Sequence, residues 1–317
     1  MSNRNQHVVP QGLLKYFTKD AKVYFYNYGE HLPIKSSPRG IDKLAHRPYF
    51  YDFTWEALKS FGIQPEELGM SEEDRIQWVE TVFFARDVEN DLAHIIRQLN
   101  SVEFHEGPIE VTEEEKEILS EHIVTQHLRG PVMRKMIEAA SQALNKVAIE
   151  MDIDKLKHDT PEYSGLLHFY CLLVSKKIRD QLKEFLYNSD WIWTINKSDM
   201  PFFISDNPVI FFETEFGMGT CLPLGSELAL NIIAKSQNHP QALCRIVTNE
   251  NIEDIKSLNL EQVRQCDRQV FCEENCFDWL IEKDITRKSL SLLVNHENFE
   301  DEMRIKVLSV LTRMGLL

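Results

Sequence analysis

Residues 191–213, WIWTINKSDMPFFISDNPVIFFE, constrain the fold of this chain more than any other stretch. Three apolar runs, Trp191–Asn196, Pro201–Ser205 and Val209–Glu213, are separated by two polar turns, and Ser205-Asp206-Asn207-Pro208 occupies the second. Phe, Ile, Val and Trp fill the flanks, which is the composition of strands covered on both faces. The stretch is therefore expected inside a sheet, with Phe203 and Ile204 almost inaccessible. A carboxylate held between two such strands either shapes the turn or belongs to a site.

The surrounding pattern is of mixed type. Pro10 starts a short helix over residues 10–18, because a missing N–H is no loss in a first helical turn. Lys22–Tyr28 and Pro48–Phe53 are aromatic-rich and read as strands, forming a hairpin or two members of a sheet. Helical signals run from Ser71, an N-cap before Glu72, Glu73 and Asp74, to about Asn100. Thr112 and Glu115 form a capping box for a helix that Gly130-Pro131 must interrupt or restart after Arg129. Apolar residues continue at helical spacing to Met151, and another helix runs from Thr160-Pro161 to about Tyr187. Thr220–Leu224, Glu227–Ile233, Ala242–Val247 and Arg268–Cys272 read as strands; Asn251–Gln265 and Glu300–Met314 read as helices. No linker, repeat or low-complexity tract divides the chain. The expectation is one intertwined α+β domain over 1–317, a mixed sheet with a helical segment at about 71–187 packed on it.

A chain of 317 residues can bury a core without disulfides or metal. No apolar run is long enough to cross a membrane, and MSNRNQHVVP has no signal-peptide core, so a cytoplasmic protein without membrane partners is expected. Its 50 acidic side chains outnumber the 35 basic ones, for a net charge of −15. That balance opposes nonspecific binding to nucleic acid or anionic lipid, though not a small basic pocket. The six cysteines reproduce no zinc spacing and are expected to be free thiols. Phosphate-binding glycine loops, H-E-x-x-H and G-x-S-x-G are all missing.

The chain resembles the bacterial family catalogued as domain of unknown function 4238. The resemblance rests on Gln6-His7-Val8-Val9-Pro10-Gln11 with Leu14 and Phe17, and on Glu89 within RDVEN. It continues through Leu128-Arg129-Gly130-Pro131, FFISDNP at Phe202–Pro208, Leu222-Pro223-Leu224, Asn259 and Arg268. Val8 stands where an aromatic is usual, and Gly130 where a larger residue is common. The resemblance implies no agreed reaction. Some members look like bacterial antiviral-defence proteins, which points to an effector acting on phosphoesters.

Seven residues are candidates. His7, Glu89 and Asp206 are of the types that bind metal or handle protons. Gln11, Arg129, Ser205 and Asn207 are of the types that hold an anionic substrate. Each also has a structural reading: Asp206 as an Asx-turn, His7 as a cap, Glu89 with Arg129 as an ion pair between helices. His122, Gln126 and Arg129 share one helix face that could take a phosphate or carboxylate. Two functions stay open. One is a hydrolase-like defence effector on nucleotide or nucleic-acid phosphoesters, for which a divalent metal is a compatible cofactor. The other is a non-catalytic protein that binds a ligand or senses a phage component. The sequence leaves metal identity and oligomeric state open. His7, Glu89, Arg129 and Asp206 are expected to line one pocket.

Overall fold

The computed structural model describes residues 5–34, 37–48, 50–51, 89–101, 109–152, 176–214, 217–235, 244–283 and 285–286. Isolated positions at 58–59, 64, 66, 79, 84, 164–165 and 167–168 are also described. Strands among them are β1 (Asn5–His7), β2 (Lys22–Asn27), β3 (Arg39–Gly40), β4 (His46–Pro48), β5 (Asp190–Asn196) and β6 (Ile204–Ser205). They continue with β7 (Ile210–Thr214), β8 (Gly217–Gly225), β9 (Leu228–Ile233), β10 (Cys244–Val247) and β11 (Gln269–Cys272). The helices are α1 (Gln11–Leu14), α2 (Glu89–Ser101), α3 (Glu113–Arg129), α4 (Pro131–Glu150), α5 (Lys176–Tyr187) and α6 (Glu253–Gln265).

The central stretch is shared between two sheets. β5 and β7 belong to a five-stranded sheet of order β10-β5-β9-β8-β7, while β6 belongs to a second sheet of order β3-β2-β11-β6. Only the β10–β5 pair is parallel in the first sheet, so the architecture is α+β with a mixed sheet. The chain leaves one sheet at Asn196, pairs two residues with β11, and returns at Ile210. Phe203 and Ile204 are both fully buried, as expected from their neighbours. Alternation sends them apart. Ile204 and Phe202 enter the large core, whereas Phe203 enters a smaller one with Tyr26, Val270 and Phe277.

β11 covers one edge of β6, and α6 satisfies the other. Asn259 accepts from Phe203 N (2.8 Å) and donates to Pro201 O (2.9 Å). Gln262 accepts from Ser205 N (3.0 Å) and donates to Pro208 O (2.8 Å). Gln265 does the same for Phe211 N (3.0 Å) and O (2.6 Å). Three amides spaced three residues apart lie along one helix face, and each carries one donor and one acceptor, as a strand residue does. The helix thus replaces the missing strand, and buried backbone groups that would otherwise be unpaired are satisfied.

Local signals elsewhere act as expected. The Thr112 side chain accepts from Glu115 N (3.1 Å) while Glu115 accepts from Thr112 N (2.7 Å), which closes the capping box of α3. Gly130 is extended and Pro131 opens α4, so the helix restarts rather than bends. The expected strand Pro48–Phe53 needs correction. The strand is His46–Pro48, and Phe50 and Tyr51 lie in a turn. It does not pair with β2 either, because β2 is flanked by β3 and β11 while β4 takes β1 as partner. Aromatic density marked burial of Tyr51, at 5% exposure, but burial here comes without strand pairing. The helical expectations over 71–88, 160–175 and 300–314 fall outside the described residues, apart from isolated positions. Among the described residues no helix is long and apolar enough to cross a membrane.

Candidate anion pocket at the junction of the sheets

The N-terminal segment flanks one side, where Val8 lines the pocket and His7 stands beside it against His46. β1 pairs antiparallel with β4 so that His7 faces His46 and Gln6 faces Arg47. Opposed residues of such a pair project to the same side, and the two imidazoles meet edge to face with centroids 6.1 Å apart. Val8 and Val9 are buried in the core, which pins the segment, and Pro10 then turns it into α1. Gln11 comes four residues after His7, and its Nε2 lies 2.8 Å from His7 Nε2. With the amide N–H donating, the His7 proton sits on Nδ1. A half-turn of that amide would let Oε1 accept from Nε2–H, so Gln11 can hold the ring in either protonation state.

Asp206 forms the facing wall and is 3% exposed. Its Oδ1 accepts from Asp267 N and its Oδ2 from Arg268 N, both at 2.8 Å. The carboxylate thus clamps a distant loop, while Ser205 makes the local turn through its hydroxyl to Asn207 O (2.8 Å). Asn207 donates to Gln265 O (3.1 Å), tying the same turn to the end of α6. Arg47 approaches Asp206 Oδ2 at 3.9 Å and is paired with Asp267, which also holds Lys135. Burial works against the Arg47 charge, and the Asp206 carboxylate supports it.

Between these walls lies a pocket of about 220 Å³ lined by Lys43, His46, Arg47, Asp206 and Arg268. Its lining carries three cations and one carboxylate in a chain of net charge −15, and Asp267 behind it pairs with Arg47 and Arg268. His46 is held below the usual imidazole range, first by burial and then by the neighbouring His7. Its Nδ1 is buried without a hydrogen-bond partner.

Arg129 stands behind the pocket. It is 1% exposed, donates to His7 O (2.5 Å) and Tyr51 Oη (3.3 Å), and stacks its guanidinium 3.7 Å from the Phe84 ring centre. It supports the backbone that carries His7 and does not line the pocket. The Glu89 backbone opens α2, and its side chain, with the expected Glu89–Arg129 pair, lies outside the described residues. The α3 face of His122, Gln126 and Arg129 is turned into the interior. Gln126 donates to Val8 O (2.8 Å), and burial followed by the charge of Arg129 pushes His122 down to about 3. Among the described residues no three His, Cys, Asp or Glu side chains gather as a metal-ligand set.

His46, Lys43 and Arg47 carry no motif that singles them out in the sequence. They reach the site through the register of β4 against β1, a pairing across about 40 residues of chain. The family described as Protein of unknown function (DUF4238) matches residues 5–275. No curated protein and no solved structure matches.

Proposed function

The chain belongs to the DUF4238 family of proteins of unknown function, and from the site above we propose that it is a phosphoester hydrolase acting on nucleotides. The observation that carries this reading is the His7–His46 pair, 6.1 Å between ring centres, beside a pocket bearing three cations. A phosphoester seated beside two touching imidazoles can pass the proton of the attacking oxygen to one and take a proton for the leaving oxygen from the other. His46, kept neutral by burial and by His7, suits the base role. His7, held by Gln11, supplies the second imidazole. Lys43 and Arg268 are positioned to neutralise non-bridging oxygens, and Arg47 is fixed for the same task by Asp206 and Asp267. Asp206, Ser205 and Asn207 serve as the frame, because their polar atoms are spent on backbone groups. The negative surface favours a small nucleotide over duplex nucleic acid. An effector role in bacterial antiviral defence, implied by the resemblance, fits such an activity.

One observation favours a second reading, ligand sensing without turnover. His46 Nδ1 is closed off, so one ring nitrogen at most can act. Turnover of a mono- and diester panel, with and without a chelator, separates the two. Hydrolysis that survives the chelator and disappears in His46→Ala supports the enzyme. Saturable phosphate binding by ³¹P NMR with no turnover supports the sensor. Neither turnover nor phosphate binding would sink both.

A further inference from the structure

A second concavity lies on the opposite half of α6. The five-stranded sheet and the first turns of that helix enclose a cleft of about 560 Å³. Its walls are mainly apolar, with Ile192, Phe212, Ile233 and Leu258 among them. Thr194, Thr214, Asn231 and Ser257 interrupt this surface, and of these Thr194, at 3% exposure, and Asn231, at 8%, are buried. These two are diagonal neighbours on one face of β5 and β9, Thr194 opposite Ala229 and Asn231 opposite Ile192, and Asn231 Nδ2 donates to Thr194 Oγ1 at 2.7 Å.

That bond leaves two groups over. Asn231 Oδ1 is buried and accepts no hydrogen bond among the described residues. A threonine hydroxyl that accepts can still donate, so Thr194 keeps its proton for another partner. An acceptor and a donor therefore sit side by side in an apolar wall. If the Asn231 amide turns over, Thr194 donates to Oδ1 and Nδ2 is left beside a hydroxyl lone pair; again one donor adjoins one acceptor. Either arrangement complements the N–H/C=O edge of a cyclic amide. The rim carries Arg245 and Asp254, which are paired with each other and so add no net charge.

We propose that this cleft binds a neutral planar heterocycle with a lactam or imide edge, the chemistry of a uracil- or hypoxanthine-type nucleobase. Its edge meets Thr194 and Asn231, and its faces rest on Phe212 and the aliphatic side chains. Oδ1 is closed to water, so the amide turns toward the cleft as the ligand enters. The half-exposed Phe212 ring is packed over Gly219 and lines the cleft. The site is separate from the anion pocket and does not depend on the hydrolase reading.

The test uses the full chain and calorimetry with uridine and inosine, each against its N-methylated imide or lactam analogue. Removing the single N–H should weaken binding about tenfold or more, because the site's acceptor is then left unpaired. Thr194→Val and Asn231→Leu should each cause a similar loss, and phosphate binding at the other pocket should stay unchanged in both. Should one variant fail to fold, the ligand pair alone decides. Equal affinity for parent and N-methyl analogue, or no binding of either nucleoside, overturns the proposal.

Discussion

The walls of the pocket beside Asp206 are charged and already paired: Arg47 with Asp206 and Asp267, Asp206 with two backbone N–H groups. The cleft beside Asn231 has apolar walls around one amide oxygen that accepts nothing. Both lie along α6, the pocket at the loop that follows it and the cleft at its start. The difference separates rigidity from receptivity. A carboxylate whose lone pairs are spent on the backbone positions its neighbours and has little left for a ligand, whereas an orphan oxygen in an apolar wall favours any donor that reaches it. The candidate chemistry of the pocket therefore moves to the imidazoles and to the cations Lys43 and Arg268 beside Asp206.

The largest expected effect tests that shift. His46→Ala should lower phosphoester turnover by about 10²- to 10⁴-fold, the usual weight of one acid–base group, while nucleoside binding at the cleft stays intact. Equal turnover in the variant would remove His46 from the mechanism. Asp206→Ala should act through stability, by about 3–5 kcal/mol, because it takes the acceptor from the Asp267 and Arg268 N–H groups and one carboxylate from beside the buried Arg47 charge. Chemical denaturation measures this. A fully stable but inactive Asp206→Ala would instead place the carboxylate in the chemistry.

Acid should divide the two regions. Burial pushes His122 and His168 down to about 3 and His127 to about 4, so all three are neutral in the fold. Their ordinary value is 6.5, and below it the unfolded chain binds more protons than the native one. Their contribution is whole above pH 6.5 and shrinks as pH falls toward 4. Each histidine accounts for about 1.4 kcal/mol per pH unit in that window. Two of the three sit on α3, which braces His7 through Arg129, and none lines the cleft. Hydrogen exchange at pH 5 should therefore loosen α3 and β1 before β8 and β9, and His122→Leu should flatten the pH dependence of stability by one histidine's share.

The smallest effect concerns Gly130. An added Cβ would lie 3.0 Å from Asn207 Oδ1 and 3.4 Å from His127 O. Gly130→Ala should cost about 1 kcal/mol in a thermal or urea melt, by pushing the turn that carries Asp206. Nucleoside binding at the cleft should not change. A Gly130→Ala protein as stable as the parent would show that the turn yields freely.

The sequence by itself determined what is local or periodic. Thr112 and Glu115 announced the start of α3, Gly130-Pro131 its end, and the density of Phe, Ile and Trp around Asp206 the burial of Phe203 and Ile204. The caps follow from neighbours within one turn, and the apolar density marks a segment that must be covered, whichever distant residues cover it. His7, Asp206 and Arg129 were legible as chemical types, and the ordered motifs marked the family. Tertiary structure alone decided what those types do. The partner of His7 is His46 because β1 and β4 pair in one register; a one-residue slip would have presented Arg47. Asp206 holds Asp267 and Arg268 across some sixty residues of chain, and Asn259, Gln262 and Gln265 stand in for a strand. Asn231 and Thr194 meet only because β5 and β9 pair in a register that makes them diagonal neighbours. Hydrogen-bond partners at such separations are selected by the packing of whole sheets and helices, and composition carries no record of that choice.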